Sequence, residues 1–164
     1  MTVTDDLLSN AERYAATFDK GALPMPPAQH VAIITCMDAR VNPYGIFGLS
    51  EGDAHVIRNA GGAITDDAIR SLAISQRLLG TEEIIVVHHA DCGMRTFNDG
   101  AFARQIQDDT GIRPPWAPEA FPDSAEDVRQ SVARIKASPF LPHKDAVRGF
   151  IYDEKVGRLN EVGL

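Results

Sequence analysis

The fold class is legible in residues 65–89, TDDAIRSLAISQRLLGTEEIIVVHH. Thr65 is placed to cap a helix, and Asp66 and Asp67 suit its positive end. Ile69, Leu72, Ala73 and Leu79 line one face, and Gly80 ends the helix in a conformation that glycine adopts freely. The run that follows, EEIIVVHH at 82–89, is short and apolar, as expected of a parallel strand covered on both faces. Upstream, HVAIITC at 30–36 has the same character, and AHVIRNAGG at 54–62 reads as a strand entering a glycine turn. Strand, helix, strand in this order is a crossover unit. It predicts an α/β fold with a mainly parallel central sheet flanked by helices.

The remaining segments extend that unit at both ends. Residues 4–19 carry Leu7, Leu8, Ala11, Tyr14, Ala15 and Phe18 at helical spacing, and the prolines of ALPMPP then impose an extended connector. Residues 1–28 therefore read as an N-terminal helical arm, whose apolar stripe packs on its own body or on a second subunit. A helix is expected over 99–110, then a proline-rich loop, GIRPPWAPEAFPDSA. Ser124 with Asp127 is expected to cap a helix carrying Val128, Val132 and Ile135. The C-terminal VRGFIYDEKVGRLNEV reads as an antiparallel hairpin turning near residues 154–157. With 164 residues and no repeat or linker, residues 1–164 are expected to form one domain.

A formal net charge of -7 disfavours nucleic acid or an anionic membrane surface as partner. The N-terminus lacks the basic start and apolar run of a signal peptide, and two cysteines do not make a disulfide scaffold. A cytoplasmic protein is the expectation.

Both cysteines occupy telling positions. Cys36 ends one strand and Cys92 follows another, and open α/β sheets bind ligands just beyond the carboxyl ends of their strands. His89 and Cys92 can curl around one ion, and Cys36 completes a set of two thiolates and one imidazole suited to zinc. His88 and His89 should point to opposite faces, so only one of them meets the metal, and spacing alone leaves open which. Asp38 and Arg40 share a face with Cys36 if the chain is extended. The arginine keeps the aspartate ionised, and beside a metal that carboxylate either accepts a hydrogen bond from bound hydroxide or fills the fourth coordination position. Zinc with two thiolates and a neutral imidazole carries no net charge, so it acidifies water less than a three-histidine site and needs such an acceptor.

These residues resemble the β-class carbonic anhydrases. The family's C-x-D-x-R stretch stands here as Cys36-Met37-Asp38-Ala39-Arg40, and its H-x-x-C-G stretch as His89-Ala90-Asp91-Cys92-Gly93. Between them GDAHVIRNAGG is similar to the family's R-N-A-G turn, and the short chain with IRPPW and a terminal hairpin is similar to small actinobacterial members. The resemblance implies one zinc ion per chain on Cys36, His89 and Cys92, with His88 outside the set. It implies a catalytic dyad of Asp38 and Arg40, with Asp38 paired to Arg40 in an open state and bound to zinc in a closed one. Gly61 and Gly62 would border the substrate pocket. The implied activity is reversible hydration of carbon dioxide to bicarbonate and a proton by zinc-bound hydroxide, in a homodimer or dimer of dimers. Ala39 and Ala90 stand where serine and threonine are frequent, and neither removes a ligand or a dyad member. His55 and Tyr152 are the proton carriers to be weighed. The rival readings are hydrolysis of carbonyl sulfide or carbon disulfide on the same zinc, a structural zinc module with Asp38 as permanent fourth ligand, and a thiol redox protein. The last lacks a C-x-x-C pair.

Overall fold

The computed structural model describes residues 2–164. Its centre is a five-stranded sheet in the order β2-β1-β3-β4-β5. The strands are β1 (Val31–Cys36), β2 (Ala54–Asn59), β3 (Glu83–His89), β4 (Val147–Asp153) and β5 (Arg158–Glu161). The first four are mutually parallel and β5 returns antiparallel to β4, as the terminal hairpin requires.

Among the described residues five α-helices accompany the sheet: α1 (Val3–Ala16), α2 (Pro43–Phe47), α3 (Asp66–Leu79), α4 (Asp99–Thr110) and α5 (Ser124–Ala137). Thr65 caps α3 by accepting from the Ala68 N–H, and Gly80 closes it with φ of 75°. On one sheet face Ala32 and Ile34 of β1 and Ile84 and Val86 of β3 pack with Ala68 and Leu72 of α3 and Val132 and Ile135 of α5. Alternation along a strand puts these even-numbered residues on one side. The helix α5 approaches the sheet closely because β4 carries Gly149, where an added Cβ would stand 2.3 Å from Val128 Cγ1.

Three local readings need correction. The first helix stops at Ala16, with Thr17 as its C-cap, so Phe18 lies beyond it and sets its ring tilted against Tyr14 instead. The cap of α5 is Asp123, whose side chain accepts from the Glu126 N–H, while the Ser124 hydroxyl is buried without a partner. Asp127 is drawn elsewhere, to His88. The short α2, led by Pro43 and capped by Asn42, is too brief to carry a helical period and was not expected from the pattern.

The arm is tied to the body by a few polar contacts. Tyr14 donates to Glu51 at 3.0 Å, and Lys20 pairs with the same carboxylate. Yet α1 buries none of its residues, and Leu7, Leu8 and Tyr14 remain exposed. Among the described residues no helix is long and apolar enough to cross a membrane.

Candidate metal centre

Parallel neighbours deliver their carboxyl ends to one edge. Thr35 of β1 is level with Val87 of β3, and Cys36 is level with Asn59 of β2. Cys36 and His89 therefore leave the sheet side by side, and the turn after His89 returns Cys92 to them. The three ligand atoms lie within 4.8 Å of one another, and all three residues are buried.

The adjacent histidines separate as strand geometry demands. His88, on the face of Ile84 and Val86, donates from Nε2 to Asp127 at 2.6 Å and stacks on Phe121 with ring centroids 5.1 Å apart. It turns away from the two sulfurs. His89 instead leaves its Nε2 buried with no hydrogen-bond partner. Its Nδ1 donates to Glu154 Oε1 at 3.1 Å, and the Asp91 N–H donates to the same oxygen at 2.8 Å.

This donor set fits zinc. Two zinc–sulfur bonds of about 2.3 Å at a tetrahedral angle put the sulfurs about 3.8 Å apart. The Cys36 and Cys92 sulfurs are 4.0 Å apart. A buried imidazole nitrogen lacking a partner costs free energy that a metal bond removes. The pair also holds one sulfur ready as thiolate. The hydrogen bond from Cys92 outweighs burial and, with His89 and the Gly61 N–H at 3.3 Å, brings the Cys36 thiol down to about 4. The same Cys36 sulfur, with burial, pushes the Cys92 thiol up. Burial alone would lower the His89 pKa, but the Cys36 sulfur and the Glu154 carboxylate outweigh it and the net direction is upward.

Beside the set stands a fork of charges. Arg40 grips Asp38 through Nε at 3.0 Å and Nη2 at 2.8 Å, and the Arg40 N–H donates to Asp38 Oδ1 at 2.8 Å. The guanidinium and this amide hold the Asp38 carboxyl well below the usual carboxylate range, and Asp38 and Asp91 in turn raise the Arg40 pKa. Asp38 Oδ2 is 3.8 Å from His89 Nε2. Arg40 also donates to the Asp91 carboxylate and carbonyl, each at 2.9 Å. Arg58 secures the loop carrying Asp38, donating to the carbonyls of Cys36 at 3.0 Å and Asp38 at 2.8 Å.

Above these groups opens a cavity of about 270 Å³ lined by Cys36, Asp38, Gly61, Cys92, Met94 and Phe97, among others. The two glycines expected to border it differ in role. Gly61 does so, and a Cβ there would meet Met94 Cγ at 2.8 Å. Gly62 packs against the β1 backbone, where a Cβ would stand 3.0 Å from the Thr35 carbonyl carbon. His55 pairs with Ala32, four residues back from Cys36 along the sheet, about 13 Å at the rise of a strand. It bonds Ser75 there at 2.7 Å, so it stands away from the metal set. Tyr152 is level with His89 on the neighbouring strand.

Glu154, Asp91 and Arg58 escaped the reading of metal and acid–base groups. Glu154 carried only a turn signal, Asp91 lay between two ligands without a partner in view, and Arg58 stood in a strand.

The carbonic anhydrase family model matches residues 31–147. The chain is 62% identical over 162 residues to Beta-carbonic anhydrase 1 of Mycobacterium tuberculosis, covering 99% of each chain. It is 32% identical over 182 residues to a carbon disulfide hydrolase of an Acidianus species, covering 96% of this chain and 87% of that one. Among solved structures, the carbonic anhydrase of Streptococcus mutans superposes with a TM-score of 0.93 at 41% identity, covering 99% of both chains. Metal-ligand geometry, the charged fork beside it and these likenesses agree: the chain belongs to the β-class carbonic anhydrases.

Proposed function

We propose that this chain catalyses the reversible hydration of carbon dioxide to bicarbonate and a proton, using one zinc ion held by Cys36, His89 and Cys92. The observation that carries the reading is the buried Cys–His–Cys set beside an ionised, arginine-gripped aspartate at an apolar cavity. Zinc bound there supplies Lewis acidity, lowering the pKa of a water toward neutrality. Asp38, kept ionised by Arg40, accepts a hydrogen bond from the attacking oxygen, leaving a lone pair free to meet the substrate carbon. Arg40 is itself held by Asp91, so the carboxylate stays aimed without spending a free cation on the product. Met94, Phe97 and the sulfur-bearing wall admit a small uncharged substrate. Bicarbonate then faces apolar walls and a carboxylate, neither of which pairs its charge, and it leaves. In this account the Asp38–Arg40 pair is the open arrangement, and Asp38 reaches the metal only by giving up Arg40.

Carbon disulfide is the rival substrate, because relatives near 30% identity carry that name. The greater identity to a carbonic anhydrase supports the oxygen substrate. Assaying both on one zinc-loaded preparation is expected to show rapid carbon dioxide hydration and little or no release of hydrogen sulfide from carbon disulfide. The reverse ranking would overturn the assignment.

Residues 1–164 are read as one domain with an arm at 1–28, since every described strand joins one sheet. The exposed stripe of α1 and a groove of about 400 Å³, lined by Val31, Ile33, Phe47, Leu49 and Ile85 with Gln29, Asp53 and Glu83 among them, support a homodimer that covers both. Sedimentation should give about twice the 17.8 kDa chain mass, and a monomer at micromolar concentration would refute the dimer. Two thiols needed as ligands favour the reducing cytoplasm.

A further inference from the structure

Glu154 lies in the turn between β4 and β5, beyond residue 147 where the family match ends. Its side chain is 3% exposed, against 19% for Asp38 and 66% for Asp91. A buried acid in a hairpin turn needs a reason, because turns face water and burial of an unpaired charge is costly.

The reason is its partners. Oε1 accepts from His89 Nδ1 at 3.1 Å and from the Asp91 N–H at 2.8 Å, and stands 3.7 Å from Arg40 Nη2. One carboxylate oxygen thus touches a residue of the metal set, the backbone between two of its members, and the arginine that grips Asp38. An ionised carboxylate only accepts, so His89 must carry its proton on Nδ1. That leaves the Nε2 lone pair facing the two sulfurs.

We propose that Glu154 is a positioning residue of the metal centre. It locks the tautomer and ring direction of His89 and gives Arg40 a third carboxylate neighbour, after Asp38 and Asp91. The inference rests on the reading that Cys36, His89 and Cys92 hold zinc, and it makes the C-terminal hairpin part of that centre. Glu154 touches no substrate in this role; it acts through His89.

The test is zinc affinity, measured on the full chain by competition with a chromogenic chelator. The forms compared are wild type, Glu154→Gln and Glu154→Ala, with the melting of each metal-free protein followed in parallel. Loss of such a carboxylate partner is expected to weaken zinc binding ~10–100-fold in Glu154→Ala. The glutamine oxygen still accepts both N–H groups, so Glu154→Gln should restore most of the affinity. Wild-type affinity in Glu154→Ala, or equal losses in both variants, overturns the proposal. Nitrogen NMR of the zinc-loaded wild type adds a reading that needs no variant to fold. A protonated, hydrogen-bonded His89 Nδ1 is expected, and metal on Nδ1 overturns the role. Should the wild type itself bind no zinc, the functional reading fails first, and the two failures stay distinct.

Discussion

Cys92→Ser is expected to release zinc and abolish carbon dioxide hydration. The substitution exchanges a thiolate for a neutral hydroxyl that zinc binds poorly, and it leaves that hydroxyl in a site only 3% exposed. Zinc-binding free energies of about 10–16 kcal/mol, shared over four ligands, put about 2.5–4 kcal/mol on each. Zinc affinity should therefore fall by ~10²–10³-fold. Metal analysis after dialysis against a mild chelator checks this. A variant that retains one zinc per chain would contradict the ligand assignment.

Asp38→Ala separates metal holding from turnover. Asp38 is engaged by Arg40 through three hydrogen bonds, and His89 Nε2 is the set's nearest nitrogen to it at 3.8 Å. Its removal should leave zinc content near that of the wild type. The hydrogen-bond acceptor for the attacking oxygen is lost, however, and positioned proton acceptors contribute ~10²–10⁴-fold. A fall in kcat of that order is expected, measured by stopped-flow with zinc assayed on the same sample. Wild-type turnover would remove Asp38 from the mechanism, and loss of zinc in this variant would instead make it a permanent ligand.

The parts of this molecule that rest on local pattern were legible in its sequence. Period and caps place α3 between Thr65 and Gly80, and apolar runs place β1 and β3. Parallel pairing then brings Cys36 to His89, because neighbouring strands that run the same way end at the same edge. What escaped depends on contacts between distant side chains. Glu154 meets His89 across 65 positions, and Asp127 meets His88 across 39, with no periodicity linking either pair. Asp127 shows the effect in miniature: it has the right type and spacing for a cap, but a buried imidazole competes for it and Asp123 takes the capping role. Alternation along β3 could say that one histidine faces the metal. The structure shows which: His89 joins the two sulfurs, while the His88 Nε2 is taken by Asp127.

The central claim is that hydration by this chain depends on zinc at Cys36, His89 and Cys92. It is tested most directly by stopped-flow carbon dioxide hydration on metal-free protein titrated with zinc. Activity should rise linearly with added zinc and stop at one ion per chain. Full zinc loading without hydration, or hydration indifferent to zinc, would contradict it.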